Sequence, residues 1–169
     1  LTSPFQGRKY ASHSFNSCVF MEFPAYSLYS ILPIRYTPYD MNIYIGADHR
    51  GHKRKIELKE WLETTEHSVE DLGAHNLDQG DDYPEIAKTV ADAVATNDGS
   101  LGILLCGNAE GVCIVANKVD GVRAGIGYSV EAIRSARNDD NINVLCLPAE
   151  NQSLEDAEKI TATFLETLY

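Results

Sequence analysis

Basic residues are scarce in this chain. Its 169 residues hold 14 Lys and Arg against 25 Asp and Glu, a formal net charge of -11 and a pI near 4.8. Binding nucleic-acid phosphates needs cations clustered on one face, so no nucleic-acid partner is expected and any anionic ligand must be held by a few local groups. Cysteine is sparse as well. Cys18, Cys106, Cys113 and Cys146 form no C-x-x-C pair, and three of them lie in or beside apolar runs. That usage fits reduced thiols in a cytoplasmic protein better than a disulfide framework. No apolar stretch in the sequence is long enough to span a bilayer, so no membrane partner is expected. Asp78, Asp81 and Asp82 form the one acidic cluster that could suggest a cation, but they lack the Gly and terminal Glu of a calcium loop. No metal site is expected.

What is present divides the chain in two. Residues 1–40 are rich in Ser, Tyr, Phe and Pro, hold only Glu22 and Asp40 as acids, and show neither a helical nor an alternating period. They are expected to lie outside the fold. A Ser-rich, acid-poor leader could be a transit peptide, but arginines are few and no amphipathic face is evident. We favour the reading in which Met41 is the natural start and the leader is translated upstream sequence, because composition changes so abruptly there. Residues 41–169, with the 44% hydrophobic content of the chain behind them, suffice for one domain with one substantial core.

From Met41 onward strand and helix signals alternate. Strands are predicted over 42–46, 68–72, 101–105, 122–126 and 143–147. The first helix, over 51–64, carries Ile56, Leu58, Trp61 and Leu62 at helical spacing with charges on the other face. A second opens at Tyr83-Pro84, where proline's missing N–H costs little, and stops at Asn97-Asp98-Gly99. Further helices are predicted over 110–118, 129–138 and 153–168. A β-α unit repeated in this rhythm pairs its strands in parallel with right-handed crossovers. The expected fold is therefore α/β: a three-layer, doubly wound, Rossmann-like open sheet of five parallel strands, with ligands at the carboxyl ends of strands near a topological switch.

The junction around Cys106 is the most informative. The apolar run Ile103-Leu104-Leu105 ends in Cys106 and Gly107, and a helical segment follows within a few residues. Such a strand, turn and helix start aims backbone N–H groups at whatever sits above the strand, which suits an anion or a developing oxyanion. A thiol at the rim can serve as base or nucleophile. The same position also suits a small buried hydrophobe. Cys113 and Cys146 fit the core, Asp48 could cap the helix that begins near Gly51, and His52, His67 and His75 read as surface residues.

Several ordered motifs from Met41 to the end resemble the type B ribose-5-phosphate isomerases, a family that includes galactose-6-phosphate isomerase subunits. They are Ile45-Gly46-Ala47-Asp48-His49-Arg50-Gly51, Asp82-Tyr83-Pro84, Gly102-Ile103-Leu104-Leu105-Cys106-Gly107, Ala116-Asn117-Lys118-Val119 with Gly121-Val122-Arg123-Ala124, and Asn143-Val144-Leu145. The resemblance implies aldose-ketose isomerisation of a sugar phosphate through a cis-enediol(ate), without metal or organic cofactor. It makes Cys106 the base. It makes Asp48 and His49 contacts to sugar ring and phosphate, places Tyr83 in the pocket lining, and turns the loop of Gly107, Asn108, Ala109, Glu110 and Gly111 into an enediolate cradle. It further implies a homodimer or homotetramer with shared sites.

The chain departs from that pattern at several positions. Asn108 stands where the family has Thr or Ser, and Glu110 where it has a small or apolar residue. Asp139 and Asp140 occupy the places of the ring-opening His and its Asn. Asp139 is then the candidate for the acid-base role, with Asp140 beside it binding substrate, both supplied by a neighbouring subunit. Glu150 takes the place of a phosphate-binding arginine, and the basic C-terminal tail is absent from the sequence, which the resemblance reads as truncation. Two other readings stay open: a catalytically weak relative acting as a sugar-phosphate-binding or regulatory subunit, and a flavodoxin-like phosphate-binding module.

Overall fold

The computed structural model describes residues 41–65 and 67–169, so the expectations for residues 1–40, Cys18 included, fall outside the described residues. Within them β1 (Asn42–Ala47), α1 (His52–Leu62), β2 (Ser68–Asp71), α2 (Tyr83–Thr96), β3 (Leu101–Cys106), α3 (Glu110–Ala116), β4 (Ala124–Ile126), α4 (Val130–Asp140), β5 (Val144–Pro148) and α5 (Leu154–Glu166) follow in order. Burial explains where each strand goes. β3 and β5 are apolar and buried at every position, so they take the middle, where both faces are covered. β2 reads Ser-Val-Glu-Asp with alternating exposure and takes one edge; three-residue β4 takes the other. The order is β2-β1-β3-β5-β4, with every pairing parallel. This is the predicted doubly wound sheet. The chain leaves β1 toward one edge and β3 toward the other, so the switch point lies between those two strands.

Alternate side chains of the central strands feed two cores. Ile43, Ile45, Ile103, Leu105, Leu145 and Leu147 pack with Leu58 and Leu62 of α1, Ile133 of α4 and Phe164 of α5. Tyr44, Leu104, Val144 and Cys146 pack on the opposite face with Val90 and Val94 of α2 and Val112 of α3. Leu104 and Leu105 are adjacent in sequence and wholly buried in different layers, so truncating either to Ala would cost roughly 2–5 kcal/mol on its own face.

Two departures from the expected boundaries have a clear cause. β4 starts at Ala124 and not at residue 122, and α3 stops at Ala116, because asparagine side chains take over the backbone groups in between. Asn117 accepts the Ala124 N–H at 2.9 Å and donates to the Ala124 carbonyl at 3.0 Å. Asn143 accepts the Arg123 N–H at 2.8 Å and donates to the Gly121 carbonyl at 2.9 Å. A third correction concerns His52, expected on the surface, which is buried in the first turn of α1. Lys55, one turn on, is buried too and donates to Asp71 at 2.9 Å and to the Ala74 carbonyl at 2.6 Å, tying α1 to the end of β2.

Candidate functional site at the carboxyl edge of the sheet

Two β-α turns meet at the switch point. Ala47 of β1 pairs with Leu105 of β3, so Asp48 and Cys106 come one register step later on adjacent strands, whose spacing is about 4.8 Å. In the first turn the buried carboxylate of Asp48 accepts the Gly51 N–H at 2.9 Å. The residue at the helix cap is Gly51, so Asp48 closes the turn that leads into α1 without being its cap. His49 follows. Its backbone N–H donates to Asp81 Oδ1 at 2.8 Å, and its ring Nδ1 lies 2.9 Å from the same oxygen. That bond, with the nearby charge of Asp48 adding to it, raises the imidazole pKa above its usual 6.5. Asp81 thus orients the ring, and it fixes Nδ1 as the nitrogen that faces the protein.

In the second turn, Cys106 Sγ accepts the Ala109 N–H at 3.1 Å and reaches Asn108 Oδ1 at 3.9 Å. The same Asn108 oxygen accepts the Glu110 N–H at 3.3 Å. Two donors that the sequence assigns to an oxyanion cradle are therefore directed at Cys106 and at the Asn108 side chain. Ala109 holds φ at +68°, left-handed and unusual for a residue with a Cβ, at a cost of roughly 1–2 kcal/mol. Complete burial holds it in place. Gly111 abuts the ring of Tyr83, where a Cβ would come within 2.8 Å. This is how the start of α2 reaches the loop.

Gly107 marks another close approach. A Cβ there would overlap the guanidinium of Arg50, which lies across the Gly107 backbone. Arg50 donates from Nε and Nη2 to the two oxygens of Glu150, both at 2.7 Å. This fork raises the Arg50 pKa and lowers that of Glu150. Glu150 is itself anchored, since its N–H donates to the Gly107 carbonyl at 3.2 Å and the Ala149 N–H to the Cys106 carbonyl at 2.9 Å.

Cys106, Asp48, His49, Tyr83, Gly107, Asn108, Ala109 and Gly111 thus share one edge of the sheet. Glu110 also lies at this edge but turns toward β4, accepting the Tyr128 hydroxyl at 2.8 Å, which raises the phenol pKa. It lines a cavity of about 580 Å³ with Asn108, Tyr128, Ser129, Pro148 and Gln152. That cavity is lined by none of Cys106, Asp48, His49 or Tyr83, so it lies beside the predicted base and not over it.

Asp139 and Asp140 are not brought to Cys106 within the chain. α4 starts beside that cavity and must run back to the amino edge of the sheet to feed β5, which puts its last turn at the opposite edge. Both are exposed. Asp139 accepts from Ser135 at 2.7 Å and from Asn138 at 2.8 Å, bonds that lower its pKa. Sequence reasoning missed Asp81, Arg50 and the Arg50–Glu150 pair. Asp81 was visible only as part of an acidic cluster, and nothing local signals that Arg50 meets a carboxylate 100 positions away.

Comparison with known proteins gives a consistent picture. Residues 43–169 match the ribose/galactose isomerase family. A crystal structure of the ribose-5-phosphate isomerase B of Mycoplasma genitalium with bound ribulose-5-phosphate superimposes with a TM-score of 0.74 at 43% identity, covering 76% of this chain and 86% of that one. The ribose-5-phosphate isomerase B of Mycobacterium leprae is 36% identical over 75% of this chain and 78% of its own length. The D-erythrulose-4-phosphate isomerase 2 of Mycolicibacterium smegmatis is 34% identical over 74% of this chain and 84% of its own.

Proposed function

The chain belongs to the ribose/galactose isomerase family and is an isomerase, and we propose that it interconverts ribose 5-phosphate and ribulose 5-phosphate by proton transfer at Cys106. The observation that carries this reading is the Ala109 N–H aimed at Cys106 Sγ at 3.1 Å in a turn next to Asp48 and His49. Sulfur is a weak acceptor as a thiol and a good one as a thiolate, so the donor matters most when the base is charged. The thiolate removes the proton beside the carbonyl of the open-chain sugar, giving a cis-enediol(ate). The thiol then returns that proton to the neighbouring carbon. His49, oriented by Asp81, donates to the sugar phosphate, and Tyr83 against Gly111 walls the pocket. Asn108 must turn its amide, exchanging its oxygen for its N–H₂ to face an enediolate oxygen, because its oxygen now occupies the Glu110 N–H. Cradling by the Glu110 N–H depends on that exchange, and cradling by the Ala109 N–H on its release from Cys106 Sγ.

We further propose that the chain acts in the cytoplasm as a homodimer or homotetramer with sites shared between subunits. Asp139 and Asp140, remote from their own Cys106, then serve a neighbour's. Exposed Ile114 on α3 and Tyr128, 59% and 62% accessible, support a second copy covering that side. Residues 41–169 form the isomerase domain in this proposal. The full chain incubated with ribose 5-phosphate yields ribulose 5-phosphate and, in heavy water, deuterium at C1 of that product and at C2 of the recovered ribose 5-phosphate. The absence of both product and exchange would sink the reading. A strictly monomeric active chain would remove Asp139 and Asp140 from it.

A further inference from the structure

We propose that Arg50 is a second phosphate ligand of this site, beside His49, and that Glu150 is the residue that holds its guanidinium across Gly107; this rests on the sugar-phosphate reading above. The chain carries a net charge of -11, so a dianionic substrate has to find a local cation. The cations of α1 are already engaged. Lys55 is buried against Asp71 and the Ala74 carbonyl, and Arg54 is held by Glu57 at 3.2 Å and the Gln152 carbonyl at 2.8 Å. Arg50 differs on three counts.

First, it lies against the glycine that follows Cys106, close enough that no other residue type fits at 107 without moving it. Second, its fork is half used. Nε and Nη2 face Glu150, while among the described residues Nη1 makes no hydrogen bond. A guanidinium carries five N–H donors in a plane, so the edge formed by Nη1 and the second Nη2 hydrogen can take two phosphate oxygens while the first edge keeps the carboxylate. Third, the pair is accessible, each side chain being 48% exposed, so its rearrangement costs little, since exposed ion pairs contribute only about 0–1 kcal/mol. Glu150 lies where the family resemblance expects an arginine. In this chain the cation reaches the same loop from the turn after β1, and the carboxylate after β5 positions it.

The substrate class that follows is a sugar carrying a phosphate within reach of the β1 turn, with the unphosphorylated sugar a far poorer substrate. The test compares full-length wild type with Arg50→Gln, Arg50→Lys and Glu150→Gln in three measurements: KM and kcat with ribose 5-phosphate, turnover of unphosphorylated ribose, and calorimetric binding of inorganic phosphate. Arg50→Gln is expected to raise KM for ribose 5-phosphate and weaken phosphate binding by about 10- to 100-fold, the loss typical of hydrogen bonds to charged groups. It should alter ribose turnover far less, and Arg50→Lys should recover part of the phosphate affinity. Glu150→Gln, which removes a competing charge and keeps a hydrogen bond, should lower KM a few-fold. Equal losses on ribose and ribose 5-phosphate would overturn the proposal, because the cation would then serve the reacting carbons or the fold. Unchanged phosphate affinity in both Arg50 variants would overturn it as well. A wild type that binds phosphate through Arg50 yet turns over no ribose 5-phosphate would defeat the isomerase reading and leave this inference standing.

Discussion

After β1 the Asp48 carboxylate accepts the Gly51 N–H at 2.9 Å, and after β3 the Cys106 thiol accepts the Ala109 N–H at 3.1 Å; both side chains are 4% exposed. In each turn a strand-end side chain takes the N–H three residues on, and the backbone then enters a helix. The differences lie in the acceptor and in the strain. Asp48 is a full acceptor, and its turn runs through Gly51 at φ -89°, an ordinary conformation. Cys106 is a poor acceptor until it is charged, and its turn forces Ala109 to φ +68°. One turn is settled by its hydrogen bond. The other holds a donor whose use grows only when negative charge forms on sulfur, and it carries strain, as reactive turns often do.

The comparison breaks most visibly at Cys106. Replacing it by Ser should cut ribose 5-phosphate turnover by about 10²–10⁴-fold, the usual contribution of a positioned base. Thermal unfolding should change little, since the serine oxygen still accepts the Ala109 N–H. Undiminished turnover would make the two turns equally structural. Asp48→Ala should lower stability by roughly 1–3 kcal/mol in urea unfolding, because a buried acceptor is lost from a closed turn. Cys106→Ala should cost less than that, and a larger cost would reverse the assignment of roles.

A smaller effect is expected at Ala109. Ala109→Gly removes the left-handed penalty and adds chain entropy to the unfolded state, for a net gain of up to about 1 kcal/mol by equilibrium unfolding. No gain would mean that the second turn is as relaxed as the first. The smallest effect concerns His49. Its folded pKa is raised above 6.5 chiefly by Asp81, so the stabilising contact is fully present below 6.5 and is lost as pH rises through the folded value. NMR titration of the imidazole should show that raised midpoint, and Asp81→Asn should bring it down. A midpoint indifferent to Asp81 would remove the orienting role from that residue.

Much of this was legible from residue order because its causes are local. Continuous apolar runs at 101–105 and 143–147 mark strands buried on both faces, as β3 and β5 are. Early Pro84 marks the start of α2. The trimmed ends of α3 and β4 were not legible, because they depend on Asn117 and Asn143 reaching backbone groups across a turn. Neither was the burial of His52, whose polar neighbours in sequence do not signal it.

By itself the sequence determined the alternation of elements, the parallel doubly wound sheet, and the placement of Asp48 and Cys106 at strand ends, since hydrophobic periodicity is a property of short segments. Only the tertiary structure decided that Asp81 reaches His49 from 32 positions away, that Arg50 meets Glu150 over Gly107 from 100 positions away, and that α4 carries Asp139 to the far edge of the sheet. Those outcomes depend on loop paths and helix direction across the whole layer, and a pattern of nearest neighbours does not encode the distances they span.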